Sequence, residues 1–120
     1  MLKTVLWLVL SLSGWRAQDP GKPHEWVIEN GILSNGQNGK TVNLVTTQLY
    51  GDVEATIEFR VPKDSNSGVY FQGLYEIQIL DSYGKTDLKF GDNGGIYALY
   101  TDGKTVGGAP PRVRRPWLPG

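Results

Sequence analysis

Tyr70, Gln72, Glu76 and Gln78 stand close together in the stretch Tyr70-Phe71-Gln72-Gly73-Leu74-Tyr75-Glu76-Ile77-Gln78. A carboxylate can take a proton or ligate a cation, carboxamides orient hydroxyl groups, and a tyrosine ring offers its face to C–H bonds. If Val69 and Phe71 face an apolar interior, alternation turns Tyr70 and Gln72 the other way. If Ile77 and Ile79 face the same interior, Glu76 and Gln78 also turn away. Placed side by side, these side chains form a polar, aromatic-bearing sheet face suited to a sugar. Arg60, with Glu54 and Glu58, extends that face if the strand order permits. Asp81 points opposite to Glu76 by alternation and reaches the same place only through a bend or bulge. The competing reading is a solvated outer face, but such a face would carry Lys and Glu more often than Gln and Tyr.

Other chemistry finds less support. A glycosidase needs two carboxylates about 5–5.5 Å or roughly 6.5–9.5 Å apart. The alternate positions here are Glu76, Gln78 and Leu80, which supply one. His24 is the only histidine and has no partner at metal-ligand spacing. With no cysteine there is no disulfide, thiolate metal site or cysteine nucleophile. Asp87, Asp92 and Asn93 do not match a calcium-loop spacing, and no Gly-Gly pair follows a strand and opens a helix to cradle phosphate.

The elements that must position the polar face have period two; no stretch keeps a helical period. Trp26–Glu29 and Ile32–Ser34 flank Asn30-Gly31, a dipeptide favoured in hairpin turns of type I′; Asn35-Gly36 and Asn38-Gly39 continue the turn-rich stretch. Asn43–Thr46 reads as a short strand. Asp52–Val61 alternates five apolar with five polar residues and reads as the longest strand. Pro62 ends it and Lys63–Ser67 form a polar loop. Val69–Gln72 and Tyr75–Leu80 follow around Gly73-Leu74. Ile96–Tyr100 lies between the turns Asn93-Gly94-Gly95 and Asp102-Gly103. Many short strands and turns predict an all-β fold, a β-sandwich or jelly roll.

Composition agrees. The chain has 120 residues, 16 of them glycine and seven proline, and 39% are hydrophobic. That is one domain at most, rich in turns and not disordered. Twelve basic residues balance twelve acidic ones, so nothing favours nucleic acid or an anionic membrane as a partner. Lys3 and the apolar run Val5–Leu12 read as an export signal over residues 1–17, with cleavage at Ala17. The run is too short to cross a bilayer. A linker spans residues 18–23, and the mature protein is expected outside the cytoplasm, periplasmic or secreted, with no stable membrane insertion.

The stretch NSGVYFQGLYEIQILDSYG, residues 66–84, resembles the central motif of the 3-keto-disaccharide hydrolase family. Glu29-Asn30-Gly31-Ile32-Leu33, Leu44-Val45-Thr46, Tyr50-Gly51-Asp52-Val53-Glu54, Glu58-Phe59-Arg60-Val61 and Gly94-Gly95-Ile96-Tyr97 extend the likeness over residues 24–111. The resemblance implies a concanavalin-like jelly roll and a hydrolase acting on 3-keto-disaccharides or 3-keto-glucosides. A ketone at carbon 3 acidifies the hydrogen on carbon 2; the glycosidic oxygen on carbon 1 then leaves, and water adds to the enone. This requires a base near carbon 2 and a cation or hydrogen-bond donor at the enolate oxygen. Glu76 is the candidate base, or a metal ligand. Tyr70, Gln72, Gln78, Arg60 and Asp81 are the candidate substrate-binding residues. The resemblance makes no cofactor certain; a divalent metal is one way to hold the enolate oxygen. Past Ala109-Pro110-Pro111 the family pattern would continue with Asn-Ala and Pro-Gly-Glu-Trp segments. Arg112–Gly120 does not follow it, so the chain reads as the front part of such a domain with a Pro/Arg-rich tail. The alternatives are a non-catalytic carbohydrate-binding module and an inactive fragment.

Overall fold

A computed structural model describes residues 3–4, 11–36 and 41–112. Residues 5–10 of the expected export signal, the Asn38-Gly39 turn and residues 113–120 of the tail lie outside the described residues. The fold is all-β: strands and turns, with no helix among the described residues. The chain forms two units, Met1–Glu58 and Phe59–Gly120.

In the first unit, β1 (Lys3–Thr4), β2 (Trp15–Ala17), β3 (Val27–Glu29), β4 (Ile32–Ser34), β5 (Leu44–Thr46) and β6 (Val53–Glu54) pair as three ladders. The β3–β4 hairpin turns on Asn30 and Gly31 with φ of 52° and 74°. Two successive positive φ values define the type I′ turn whose twist matches that of the strands it joins. β2 pairs antiparallel with β5, Arg16 opposite Val45. Gln18 N–H donates to Asn43 O at 2.8 Å, and Thr47 N–H to Gly14 O at 2.9 Å, which extends the ladder at both ends. Trp15–Ala17, assigned by sequence to the export segment, therefore forms part of this unit's sheet.

Asp52–Val61 corrects the strand expected to be longest. Only Val53–Glu54 is strand; Ile57 and Phe59 are 45% and 49% exposed. Alternation shapes two faces, but a strand also needs a partner for its N–H and C=O groups. Among the described residues no ladder pairs 55–61.

The second unit carries β7 (Asn66–Phe71), β8 (Tyr75–Leu80), β9 (Leu99–Thr101) and β10 (Lys104–Val106). β7 starts inside the expected polar loop, and Gln72, expected at its end, lies in the turn instead. Gln72 and Gly73 have φ of 54° and 66°, and Leu74 N–H closes the turn on Phe71 O at 3.1 Å. The expected strand Ile96–Tyr100 is divided: Ile96 bridges Ile77 on one side and Ala109 on the other, while Leu99–Thr101 pairs with the unforeseen β10 around Asp102-Gly103. The apolar face of β7–β8, including Val69, Phe71, Ile77 and Ile79, is half-buried.

A chain beginning at Gln18 lacks β2 and leaves β5 without its partner. Each ladder hydrogen bond contributes about 1 kcal/mol net, and one kcal/mol shifts melting by roughly 4–8 °C in a domain of this size. The truncated chain is expected to melt at least ~5 °C below the full chain by circular dichroism; equal melting would show that the β2–β5 ladder contributes nothing.

Candidate functional site

The antiparallel register of β7 and β8 sets Tyr70 opposite Glu76 and Gly68 opposite Gln78. Residues opposite one another in a ladder share a face. A third line of chain continues that face. Tyr97 N–H donates to Glu76 O and Gln78 N–H to Gly95 O, each at 2.9 Å, on either side of the Ile77–Ile96 bridge. Two rows therefore cross three neighbouring lines of chain. One is Tyr70–Glu76–Tyr97, and the other is Gly68–Gln78–Gly95.

The second row is bare on both sides of its glutamine because other atoms occupy the space. A methyl group at residue 68 would fall on the Glu76 carboxylate, 2.9 Å from its Cδ. Glu76 thus leans over Gly68. A methyl group at residue 95 would strike the Phe90 backbone, 2.9 Å from its carbonyl carbon. The chain around Phe90 therefore lies across this face beside Gln78, which is only 5% exposed. Glu76 is half-buried, while Tyr70 and Tyr97 are 52% and 42% exposed. The result is a floor of one carboxylate between two tyrosines, walled on one side.

Burial, first, and then a hydrogen bond to the Glu76 carboxylate and that group's negative charge push the Tyr70 phenol above its ordinary range. The Tyr97 phenol adds to this. Phe90 packs on Tyr97 with ring centres 5.6 Å apart and planes at 84°, an edge-to-face arrangement.

Asp92 fixes the turn that carries Phe90. Its Oδ1 accepts from Lys85 Nζ at 2.6 Å and Ser82 Oγ at 3.1 Å, and its Oδ2 from Lys89 N–H at 2.8 Å. The Lys85 ammonium beside it, then the Lys89 N–H, hold its carboxyl below the usual range. Asn93 ties the turn to the sheet, its Oδ1 accepting from Leu80 N–H at 3.3 Å. Asp92 and Asn93, weighed by sequence for calcium, are thus engaged in the protein's own hydrogen bonds. Among the described residues no group of three or more His, Cys, Asp or Glu could hold a metal ion.

The structure brings together Tyr70, Glu76 and Gln78 and leaves the other sequence-predicted residues off the face. Gln72 is exposed in the β7–β8 turn. Arg60 is exposed in the irregular chain before β7. Asp81 does not bend towards Glu76. Its Oδ2 accepts from Asp64 N–H at 2.9 Å and its Oδ1 from Tyr83 N–H at 3.3 Å. Those two N–H groups lower its pKa, Asp64 more than Tyr83. Tyr97 and Phe90 went unassigned by sequence; the available signal was Tyr97 in the Gly94-Gly95-Ile96-Tyr97 segment, one alternation from Ile96.

The first unit offers an open cleft of about 730 Å³ lined by residues such as Gln18, Asp19, Lys22 and Asn43. Its carboxylate, Asp19, is paired with Lys22 at 3.3 Å, and among the described residues no aromatic ring lines it. It is the weaker candidate.

A family model described as a 3-keto-alpha-glucoside-1,2-lyase-like domain matches residues 10–117. The match starts ahead of β2 and runs past Pro111, beyond both ends of the likeness read from motifs. No curated protein and no solved structure matches the chain.

The electrostatics can be measured directly. Glu76→Gln removes a negative charge that disfavours the tyrosinate, so the Tyr70 titration is expected to fall part of the way towards about 10, burial still holding it up. Residue-resolved NMR of the tyrosine Cζ against pH checks this, and an unmoved Tyr70 would contradict the pairing. Asp81 and Asp92 have lowered pKa values, so their contribution to stability is present above the ordinary carboxylate pKa of about 3.9 and is lost as pH falls through the lowered values. Asp92→Asn is expected to melt below wild type at neutral pH, with the gap narrowing in acid.

Proposed function

Because the chain belongs to the 3-keto-alpha-glucoside-1,2-lyase-like family, we propose that it cleaves the glycosidic bond of 3-keto-disaccharides or 3-keto-glucosides, with Glu76 as the base. The observation that carries this reading is the half-buried Glu76 carboxylate, in the row Tyr70–Glu76–Tyr97 and leaning over Gly68. Glu76 takes the proton from carbon 2. The electrons of that C–H bond form the carbon 1–carbon 2 double bond as the carbon 1–oxygen bond breaks, and the departing oxygen takes a proton. Water then adds at carbon 1 and a proton returns to carbon 2, so the net change is hydrolysis with no oxidant or reductant. Tyr70, opposite Glu76 in the ladder and exposed, is placed to meet a substrate held at the carboxylate, while the buried Gln78 lines the floor beside it. A lone carboxylate on the face suits proton abstraction better than a two-carboxylate mechanism.

Export is part of the same proposal, supported by Lys3 followed by the apolar run Val5–Leu12. Sequencing the N-terminus of the protein recovered from outside the cytoplasm tests it, and recovery solely from the cytoplasm would overturn it.

Incubation with a 3-keto-disaccharide is expected to release both monosaccharides, with solvent deuterium entering carbon 2 of the keto sugar. Glu76→Gln should lower the rate by about 10²–10⁴, the range for losing a general base, with the β-sheet circular dichroism unchanged. Gly68→Ala should also reduce turnover by displacing the carboxylate, and shortening the base in Gly68→Ala/Glu76→Asp should restore part of it. Full activity of Glu76→Gln would sink the assignment. Sugar binding without turnover in wild type would instead mark a binding module.

A further inference from the structure

Tyr97 takes no part in the chemistry just described, yet it stands beside Glu76 on the same face, one strand away. Neighbouring strands are about 4.8 Å apart, close to the width of a sugar ring. The bond to be broken starts at carbon 1, adjacent to the carbon whose proton Glu76 would remove. A leaving sugar must therefore lie immediately next to the base, over one of the two flanking tyrosines. Among the described residues no ring packs against Tyr70, which is 52% exposed. Tyr97 instead has Phe90 against its ring at 84°, an arrangement that covers one ring face at most, and 42% of the residue stays exposed.

We propose that Tyr97, buttressed by Phe90, is the stacking platform for the leaving sugar and makes the site selective for cyclic leaving groups. Platform and wall are set before substrate arrives. The Phe90 turn is held by the buried Asp92 through Lys85, Ser82 and the Lys89 N–H. It also crosses Gly95 so closely that no side chain fits there. A ring already fixed loses little freedom on binding, so more of the contact appears as affinity. Asp92 and Lys85 are, in this account, positioning residues for Phe90 and through it for Tyr97. The proposal rests on the reading of Glu76 as the base only for where the leaving group lies.

The experiment compares a 3-keto-disaccharide with a 3-keto methyl glucoside, whose leaving group has no ring, on wild type, Tyr97→Ala and Tyr97→Phe. On the disaccharide, Tyr97→Ala is expected to lower kcat/KM about tenfold, the upper range of an aromatic contact, and on the methyl glucoside by no more than about twofold. Tyr97→Phe keeps the ring and should behave as wild type on both. Equal losses on the two substrates, or none on the disaccharide, would overturn the platform. A second measurement does not depend on turnover or on the variants folding. The Tyr97 ring resonances of wild type should shift on adding the unoxidised disaccharide and stay in place with methyl glucoside. If wild type cleaves neither substrate, the catalytic reading fails alone, and the Tyr97 resonances decide the platform. A still resonance there would overturn it.

Discussion

The hydrogen-bonded register of three neighbouring lines of chain, β7, β8 and the segment around Ile96, is the constraint from which the candidate site follows. In an antiparallel ladder the pairing determines which side chains stand abreast, and a shift by one residue sends each to the opposite face. Here the pairing of Tyr70 with Glu76, and of Glu76 with Tyr97, puts a carboxylate between two phenols. The same pairing places Gln78 between two glycines. One row carries chemistry, and the other leaves room for what must lie over it.

Both glycines of the bare row answer to close approach. At Gly68 the space is taken by the carboxylate that the neighbouring row projects; at Gly95 it is taken by backbone from the Phe90 turn. A side chain at either place would push away a component of the site, although neither residue touches a substrate in any account of the reaction. The buried Asp92 belongs to the same scheme. A charge sheltered from water is costly unless it is paired and hydrogen-bonded, and Asp92 has an ammonium, a hydroxyl and an N–H group. Satisfying it requires the turn to keep one shape, and that shape delivers Phe90 to Tyr97.

The turns divide by how openly their residues announce them. Asn30-Gly31 and Asp102-Gly103 adopt paired positive φ values, as those dipeptides favour. Gln72-Gly73 adopts the same geometry with a residue type that rarely does, so Gln72 looked like the last residue of a strand. Asp81 misled in another way. Its carboxylate suggested chemistry, and its role is to hold the Asp64 and Tyr83 N–H groups across loops. The long alternating run after Asp52 misled most, since period two records a preference for faces and carries no information about whether a partner strand lies alongside.

The sequence alone therefore determined the strand class, the Asn-Gly and Asp-Gly turns, the family and the common face of Tyr70, Glu76 and Gln78. Each of these follows from local periodicity, backbone preference or a contiguous motif. Tertiary structure alone decided that Tyr97 completes the row, that Gly68 and Gly95 must be bare, and that Arg60, Gln72 and Asp81 stay off the face. These depend on which distant segments lie side by side. Cross-strand register is a relation between separate stretches of chain, and no single stretch encodes it.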